Sequence, residues 1–241
     1  MSDIAVVTGA SGGIGAGIAR MIHSKSEGQL ALCLHYNGNA EAAKEVAAEI
    51  PGSFIVQANL STESGRKTLL DAVLAKGNPY VLVNNAGIDK PHEPALSITE
   101  EAFTKIIDTN LRAPLFLMRD FAKEMARNES GVIVNISSIL ARKSVIGSAV
   151  YRASKAALEA LTQQFAFELG PKGIRVVAVA PGFIETPMTA EIPPEQRAGI
   201  MKDVVIGAFG SPDAVAETVW HAIENQYLTG AVIAVDGGMN L

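Results

Sequence analysis

Short apolar runs recur along the chain at Ile4 to Val7, Leu30 to Leu34, Phe54 to Val56, Tyr80 to Val83, Val132 to Ile136, Val176 to Val179 and Val232 to Val235. Most are unbroken Val, Ile, Leu and Ala and do not alternate with polar residues, as expected of parallel strands covered on both faces. Between them, stretches at 14 to 26, 38 to 50, 62 to 76, 100 to 127, 150 to 169 and 212 to 225 repeat apolar positions at helical spacing. Ser61, Thr99 and Ser211 stand where helix N-caps belong. This alternation predicts an α/β fold: a doubly wound, Rossmann-type parallel sheet of about seven strands with helices on both faces. From Gly182 to Gly210 the pattern loosens around Pro187, Pro193 and Pro194, with Met188, Ile192, Ile200 and Met201 scattered through it. So long an insertion between strand and helix is expected to be a lid or binding loop, at about 187–208.

Composition narrows the class. With 241 residues, 48% hydrophobic and 19% charged, the chain can bury one large core, and no linker or internal repeat divides it. Twenty Lys and Arg against 25 Asp and Glu leave a net charge of -5 with no long basic run, so nucleic acid is a poor partner. No apolar stretch approaches the roughly 20 residues that cross a bilayer, and Asp3 stands where a signal peptide carries Lys or Arg, so no membrane association and a cytoplasmic location are expected. Cys33, the single cysteine, lies in an apolar run; neither an internal disulfide nor a cysteine-built zinc cage is available, and no metal site is expected.

Directly after the first apolar run comes Thr8-Gly9-Ala10-Ser11-Gly12-Gly13-Ile14-Gly15, opening into a helix. Glycines let the backbone turn tightly and approach a pyrophosphate, while the N–H groups and positive end of the helix stabilise the anion. In the first strand–helix unit this predicts dinucleotide binding. A carboxylate for the ribose 2′-hydroxyl of NAD is expected about 20 residues on. None occurs: the second strand ends His35-Tyr36-Asn37-Gly38-Asn39, with no Asp or Glu between Gln29 and Ala40. The missing repulsion favours NADP, with His35 and Asn37 as donors to its phosphate and NAD as the alternative.

A second group is Tyr151-Arg152-Ala153-Ser154-Lys155. Residues four apart share a helix face, and a nearby ammonium lowers a phenol from its ordinary pKa of about 10, which makes Tyr151 a usable general acid. Asn135-Ile136-Ser137-Ser138 ends a buried strand at the carboxyl edge where open α/β sheets hold ligands, so a serine hydroxyl there can hydrogen-bond a carbonyl oxygen.

These residues, with Asn84-Asn85-Ala86-Gly87, Asn110 and Pro181-Gly182, resemble the short-chain dehydrogenase/reductase family in order along almost the whole chain. Gly182-Phe183-Ile184-Glu185-Thr186, Met188-Thr189, Glu195-Gln196-Arg197, Thr229-Gly230 and the ending Val235-Asp236-Gly237-Gly238-Met239 are similar to the 3-oxoacyl-[acyl-carrier-protein] reductases of fatty acid synthesis within it. The resemblance implies one dinucleotide-binding and catalytic domain over residues 1–241. It implies NADPH-dependent reduction of a 3-oxoacyl thioester carried by acyl carrier protein, with a sugar, steroid or small alcohol as the alternative substrate. Tyr151 would protonate the substrate oxygen, Ser138 would orient it, Lys155 would hold the nicotinamide ribose, and Asn110 would position a relay water. The cofactor would meet Gly9, Ser11, Gly13, Ile14, Gly15, Asn59 and Leu60 beside the adenine, then Asn84, Ala86 and Gly87, then Pro181, Gly182, Ile184 and Thr186 near the carboxamide. Asn84 and Asn85 could equally tie strands together. A homotetramer is implied as well. Two departures stand out: the turn carries Gly12 and Gly13 where many NADP-using relatives have a basic residue, and the basic candidates for docking a carrier, Arg127, Arg142, Lys143, Lys172 and Arg175, are interrupted by Glu129 and Glu168.

Overall fold

A computed structural model describes residues 2–89 and 91–241. Its centre is a seven-stranded, wholly parallel sheet in the order β3-β2-β1-β4-β5-β6-β7. The strands are β1 (Ser2–Val7), β2 (Ala31–Tyr36), β3 (Phe54–Gln57), β4 (Gly77–Asn84), β5 (Gly131–Ile136), β6 (Ile174–Pro181) and β7 (Val232–Val235). All seven expected strands form. Alternation across the pleat sends Ala5 and Val7 into one apolar layer and Ile4 and Val6 into the other. Both sides are dry, so the sequence has no reason to alternate with polar residues.

The first layer is closed by α1 (Gly13–Lys25), α2 (Ala40–Ala48) and α9 (Pro212–Glu224), through Ile18, Ile22, Val46 and Val219. The second is closed by α3 (Glu63–Leu74), α5 (Ala113–Met125) and α6 (Ala149–Leu169), through Leu69, Phe121 and Leu158. Thr99 and Ser211 cap their helices as expected; at α3 the cap is Thr62, which accepts from the Gly65 N–H, and not Ser61.

The sheet grows from β1 outward to β3, then restarts at β4 on the other side of β1. A crevice opens at the carboxyl ends of strands where the order reverses, and this is where an open α/β sheet takes its ligand. The Gly9–Gly15 turn, the Asn84–Ile88 turn and Ser138 all lie at that edge.

Two expectations about helices change. The single helix over 100 to 127 is broken into α4 (Glu100–Ile107) and α5 by a wider π turn at Asp108–Arg112, which carries Asn110. Side-chain periodicity hardly registers one extra residue in a turn, so the sequence reads through it. The loose segment after β6 holds α7 (Pro187–Ala190) and α8 (Pro194–Lys202), each with proline at its start. Proline is well suited to a first helical position, where its missing N–H would have no partner anyway. No residue of α8 is buried, so no apolar stripe announces it.

Candidate active site

The sheet's carboxyl edge holds a cavity of about 480 Å³. It is lined by Gly9, Ser11, Gly13, Ile14 and Gly15 of the glycine-rich turn, by Ala86 and Gly87 after β4, by Ser138, Tyr151 and Lys155, and by Pro181, Gly182, Ile184 and Thr186 at and after the end of β6. Fourteen of the predicted site residues therefore meet in one space. Gly12, Asn39, Asn85, Ile88, Ile136, Ser137, Pro187, Met188 and Thr189 line it too; none was among the expected catalytic or cofactor residues, though Pro187 and Met188 belong to the expected lid. Their proximity depends on loops from distant parts of the chain.

At Gly9 and Gly15 the glycine-rich end is built so closely that a side chain has no room. A Cβ on Gly15 would lie 2.2 Å from the Gly9 carbonyl oxygen and 2.5 Å from Asn85 Nδ2. Gly9 and Gly13 take positive φ, 66° and 53°, which glycine adopts without steric cost. Asn85 locks the turn by donating from Nδ2 to the Thr8 and Gly9 carbonyls at 2.8 and 3.1 Å. Above Gly12 a Cβ would meet nothing within 4 Å, so the turn is sealed behind and open in front, at the start of α1. That cradle fits the pyrophosphate of a dinucleotide.

Tyr151 and Lys155 lie one turn apart on α6. Lys155 is 4% exposed, its Nζ donates to the Ile136 carbonyl at 2.7 Å and stands 5.7 Å from the Tyr151 ring centroid. Burial pushes the lysine down to about 8. The expectation that Lys155 lowers the Tyr151 phenol is not what governs here: burial pushes the phenol up to about 12, the Ser138 hydroxyl partly offsets this, and the negative charge of Asp89 adds to it. The phenol keeps its proton at neutral pH.

Ser138, two residues past the end of β5, accepts from the Leu140 N–H at 3.1 Å and turns its hydroxyl to Tyr151. Asn110 is fully buried; its Oδ1 accepts from the Ile88 N–H at 2.9 Å and its Nδ2 donates to the Ile88 carbonyl at 2.7 Å. A Cβ on Gly87 would touch both Asn110 Oδ1 (3.3 Å) and Lys155 Nζ (3.6 Å), which sets these two groups beside the same glycine.

Five residues expected to meet the cofactor lie outside the cavity lining. His35 is 2% exposed and behind the turn: its Nδ1 accepts from the Gly9 N–H at 3.1 Å and its Nε2 donates to the Ala58 carbonyl at 2.9 Å. Both ring nitrogens are spent, so His35 braces the glycine turn and offers nothing to a ribose phosphate. Leu60 points into the apolar layer under the sheet. Asn84 is 3% exposed and donates to Asn135 Oδ1 at 2.9 Å, tying β4 to β5. Asn59 is outside the cavity lining, with its carboxamide oxygen accepting from Ser61. Asn37 lies at the exposed end of β2, also outside the lining.

The basic candidates for a docking patch are mostly engaged internally. Arg127 pairs with Glu124, Arg142 with Glu159 and Lys143 with Asp203, while Arg175 donates to the Ala222, Ile223 and Leu228 carbonyls.

A family model described as enoyl-(acyl carrier protein) reductase matches residues 9–240. The 3-oxoacyl-[acyl-carrier-protein] reductase FabG of Rickettsia felis is 36% identical over 237 residues, 97% of this chain and 95% of the relative. Its counterpart from Staphylococcus aureus strain Mu50 is 35% identical over 246 residues, 99% and 98% of the two chains. The chain belongs to the short-chain dehydrogenase/reductase family. Solved structures agree: a short chain dehydrogenase/reductase family protein superposes with a TM-score of 0.87 at 33% identity, covering 98% of this chain and 97% of that one. A putative gluconate dehydrogenase from Agrobacterium tumefaciens superposes with a TM-score of 0.92 at 26% identity, covering 99% and 96%. This short-chain dehydrogenase/reductase is an oxidoreductase that works with NAD(P)H.

Proposed function

We propose that the protein reduces a 3-oxoacyl thioester, delivered by acyl carrier protein, to the 3-hydroxyacyl thioester with NADPH. The observation that carries this reading is that Ser138, Tyr151 and Lys155 line the same cavity as the glycine-rich cradle. The relatives named as 3-oxoacyl-[acyl-carrier-protein] reductases along nearly the whole chain support the substrate.

A dinucleotide held in this cradle would supply the hydride that the carbonyl carbon takes up. Tyr151, protonated because its burial disfavours phenolate, gives its proton to the carbonyl oxygen as negative charge develops there. Ser138 donates to the same oxygen and fixes its direction. Lys155 stabilises the phenolate left on Tyr151 and holds the nicotinamide ribose, while Asn110 holds a water that returns the proton. Gly9, Ser11, Gly13, Ile14 and Gly15 receive the pyrophosphate. NADPH is favoured because no carboxylate stands at the end of β2, where Asn39 caps α2 with its side chain. The segment 187–208 forms the lid over the acyl group: Arg197 pairs with Glu185, and Asp203 pairs with Lys143 of the loop after β5. The proposal includes one domain over residues 1–241, assembled as a homotetramer in the cytoplasm.

Oxidation of NADPH, with NADH in parallel, in the presence of acetoacetyl-coenzyme A tests this. Rapid oxidation of NADPH with little of NADH is expected. Silence with both cofactors overturns the thioester assignment. It favours a polyhydroxylated substrate, for which the Asp89 carboxylate beside Tyr151 and the likeness to a putative gluconate dehydrogenase would be apt.

A further inference from the structure

Tyr151, Lys155 and Glu159 recur every fourth residue on α6, so one face of this helix looks onto the end of β5. The first two belong to the site already described. Glu159 does not reach the cavity, yet its side chain is only 13% exposed. Its two oxygens are used on either side of Ser138. Oε1 accepts from the Ser137 hydroxyl at 3.0 Å, and Oε2 accepts from Arg142 Nη2 at 3.1 Å. Ser138 lies between these two anchors, starting the tight turn Ile139–Ala141.

The same stretch is fastened at other rungs of α6. Lys155 holds the Ile136 carbonyl, one residue before Ser137. Arg152, next to Tyr151, donates to the Ser144 hydroxyl and to the Arg142 carbonyl. The helix that carries the acid thus also carries the fastenings of the strand end that carries Ser138. A short, doubly fastened loop has few conformations in which the serine hydroxyl could drift from the phenol. Catalytic geometry is sensitive to such drift, since a displacement of about 1 Å can cost on the order of a hundredfold in rate.

We propose that Glu159 is a positioning residue: by clamping Ser137 and Arg142 it sets the place of the Ser138 hydroxyl against Tyr151. Glu159 touches neither substrate nor cofactor in this scheme and acts only through Ser138. The proposal deepens the reductase reading and rests on it for its kinetic consequence alone.

The test compares Glu159→Ala with Glu159→Gln, whose amide oxygen can still accept from Ser137. The first readout needs no turnover: in protein labelled at the tyrosine ring carbon bearing the hydroxyl, the chain's four tyrosines give four NMR lines, and Tyr151→Phe assigns the one from Tyr151. Glu159→Ala should move the Tyr151 line as far as Ser138→Ala does and leave Tyr36, Tyr80 and Tyr227 in place. Glu159→Gln should keep it near the wild-type position. The second readout is kinetic: Glu159→Ala should lower kcat about tenfold, an intermediate misplacement on the scale above, with the Kd for NADPH unchanged and most of the rate restored in Glu159→Gln. A Tyr151 line unmoved in Glu159→Ala overturns the proposal. So does a rate loss equal in both variants and shared with NADPH binding. If the wild-type protein reduces no 3-oxoacyl thioester while the line still moves, the clamp stands and the substrate assignment alone falls.

Discussion

Replacing His35 with Phe removes two polar contacts from a buried place while nearly keeping the ring volume. In the native fold the imidazole accepts from the Gly9 N–H at 3.1 Å and donates to the Ala58 carbonyl at 2.9 Å, at 2% exposure. Phenylalanine leaves one backbone donor and one backbone acceptor buried without partners. Each such loss costs about 1–3 kcal/mol, so about 2–6 kcal/mol of stability should disappear. Since Gly9 opens the dinucleotide turn, NADPH affinity should fall with it. The same contacts make a pH prediction. Burial lowers the His35 pKa below its ordinary 6.5, the bond to the Ala58 carbonyl opposing this in part. Below 6.5 the unfolded chain therefore binds a proton that the folded protein resists, and stability falls with falling pH; above 6.5 both states are neutral and the contribution is complete. Urea unfolding followed by far-ultraviolet circular dichroism, at one fixed protein concentration between pH 5 and 8, measures both effects. A loss under about 1 kcal/mol, or a wild-type and a mutant whose stabilities fall in parallel below pH 6.5, would refute the assigned role of His35.

Tyr151→Phe should lower the reduction rate by about 10²–10⁴-fold, the range for losing a general acid, while fluorescence titration returns nearly the wild-type NADPH affinity; retained turnover removes Tyr151 from the acid role. In Gly15→Ala the added methyl lands 2.2 Å from the Gly9 carbonyl oxygen, and the forced shift should cost about 1–3 kcal/mol in thermal unfolding and weaken NADPH binding. Gly12→Ala, whose Cβ meets nothing within 4 Å and whose φ of 172° suits any residue, should fold as the wild type; equal damage in the two variants would contradict the sealed cradle. With Lys155 pushed down to about 8, the ammonium is lost as pH rises through that value, so kcat/KM for NADPH should decline above about pH 8. A flat profile up to pH 10 would refute a required charge on Lys155.

Much of the protein was legible in one dimension because its main signals are local. An unbroken apolar run reports a strand dry on both faces, as with Ala5 to Val7, and all seven strands were found this way. The glycine turn and the Tyr151–Lys155 pair were readable because neighbours along the chain build them, and fixed spacing along the backbone becomes fixed geometry. Helix periodicity likewise identified α6 and its active face. Tertiary structure decided what depends on which distant segments meet. His35 and Asn84 are polar residues at strand ends, like those that bind ligands, and only the packing of β3 and β5 against them shows both His35 ring nitrogens taken and the Asn84 amide nitrogen committed to Asn135. Leu60 could have faced either way; the register of the loop after β3 turned it into the core. The π turn at Asn110 and the helices α7 and α8 escaped notice because one inserted residue and two solvent-exposed helices leave almost no mark on hydrophobic spacing. Lys155 shows the same division in its electrostatics: spacing sets it beside Tyr151, but burial, a property of the assembled fold, decides where both groups titrate.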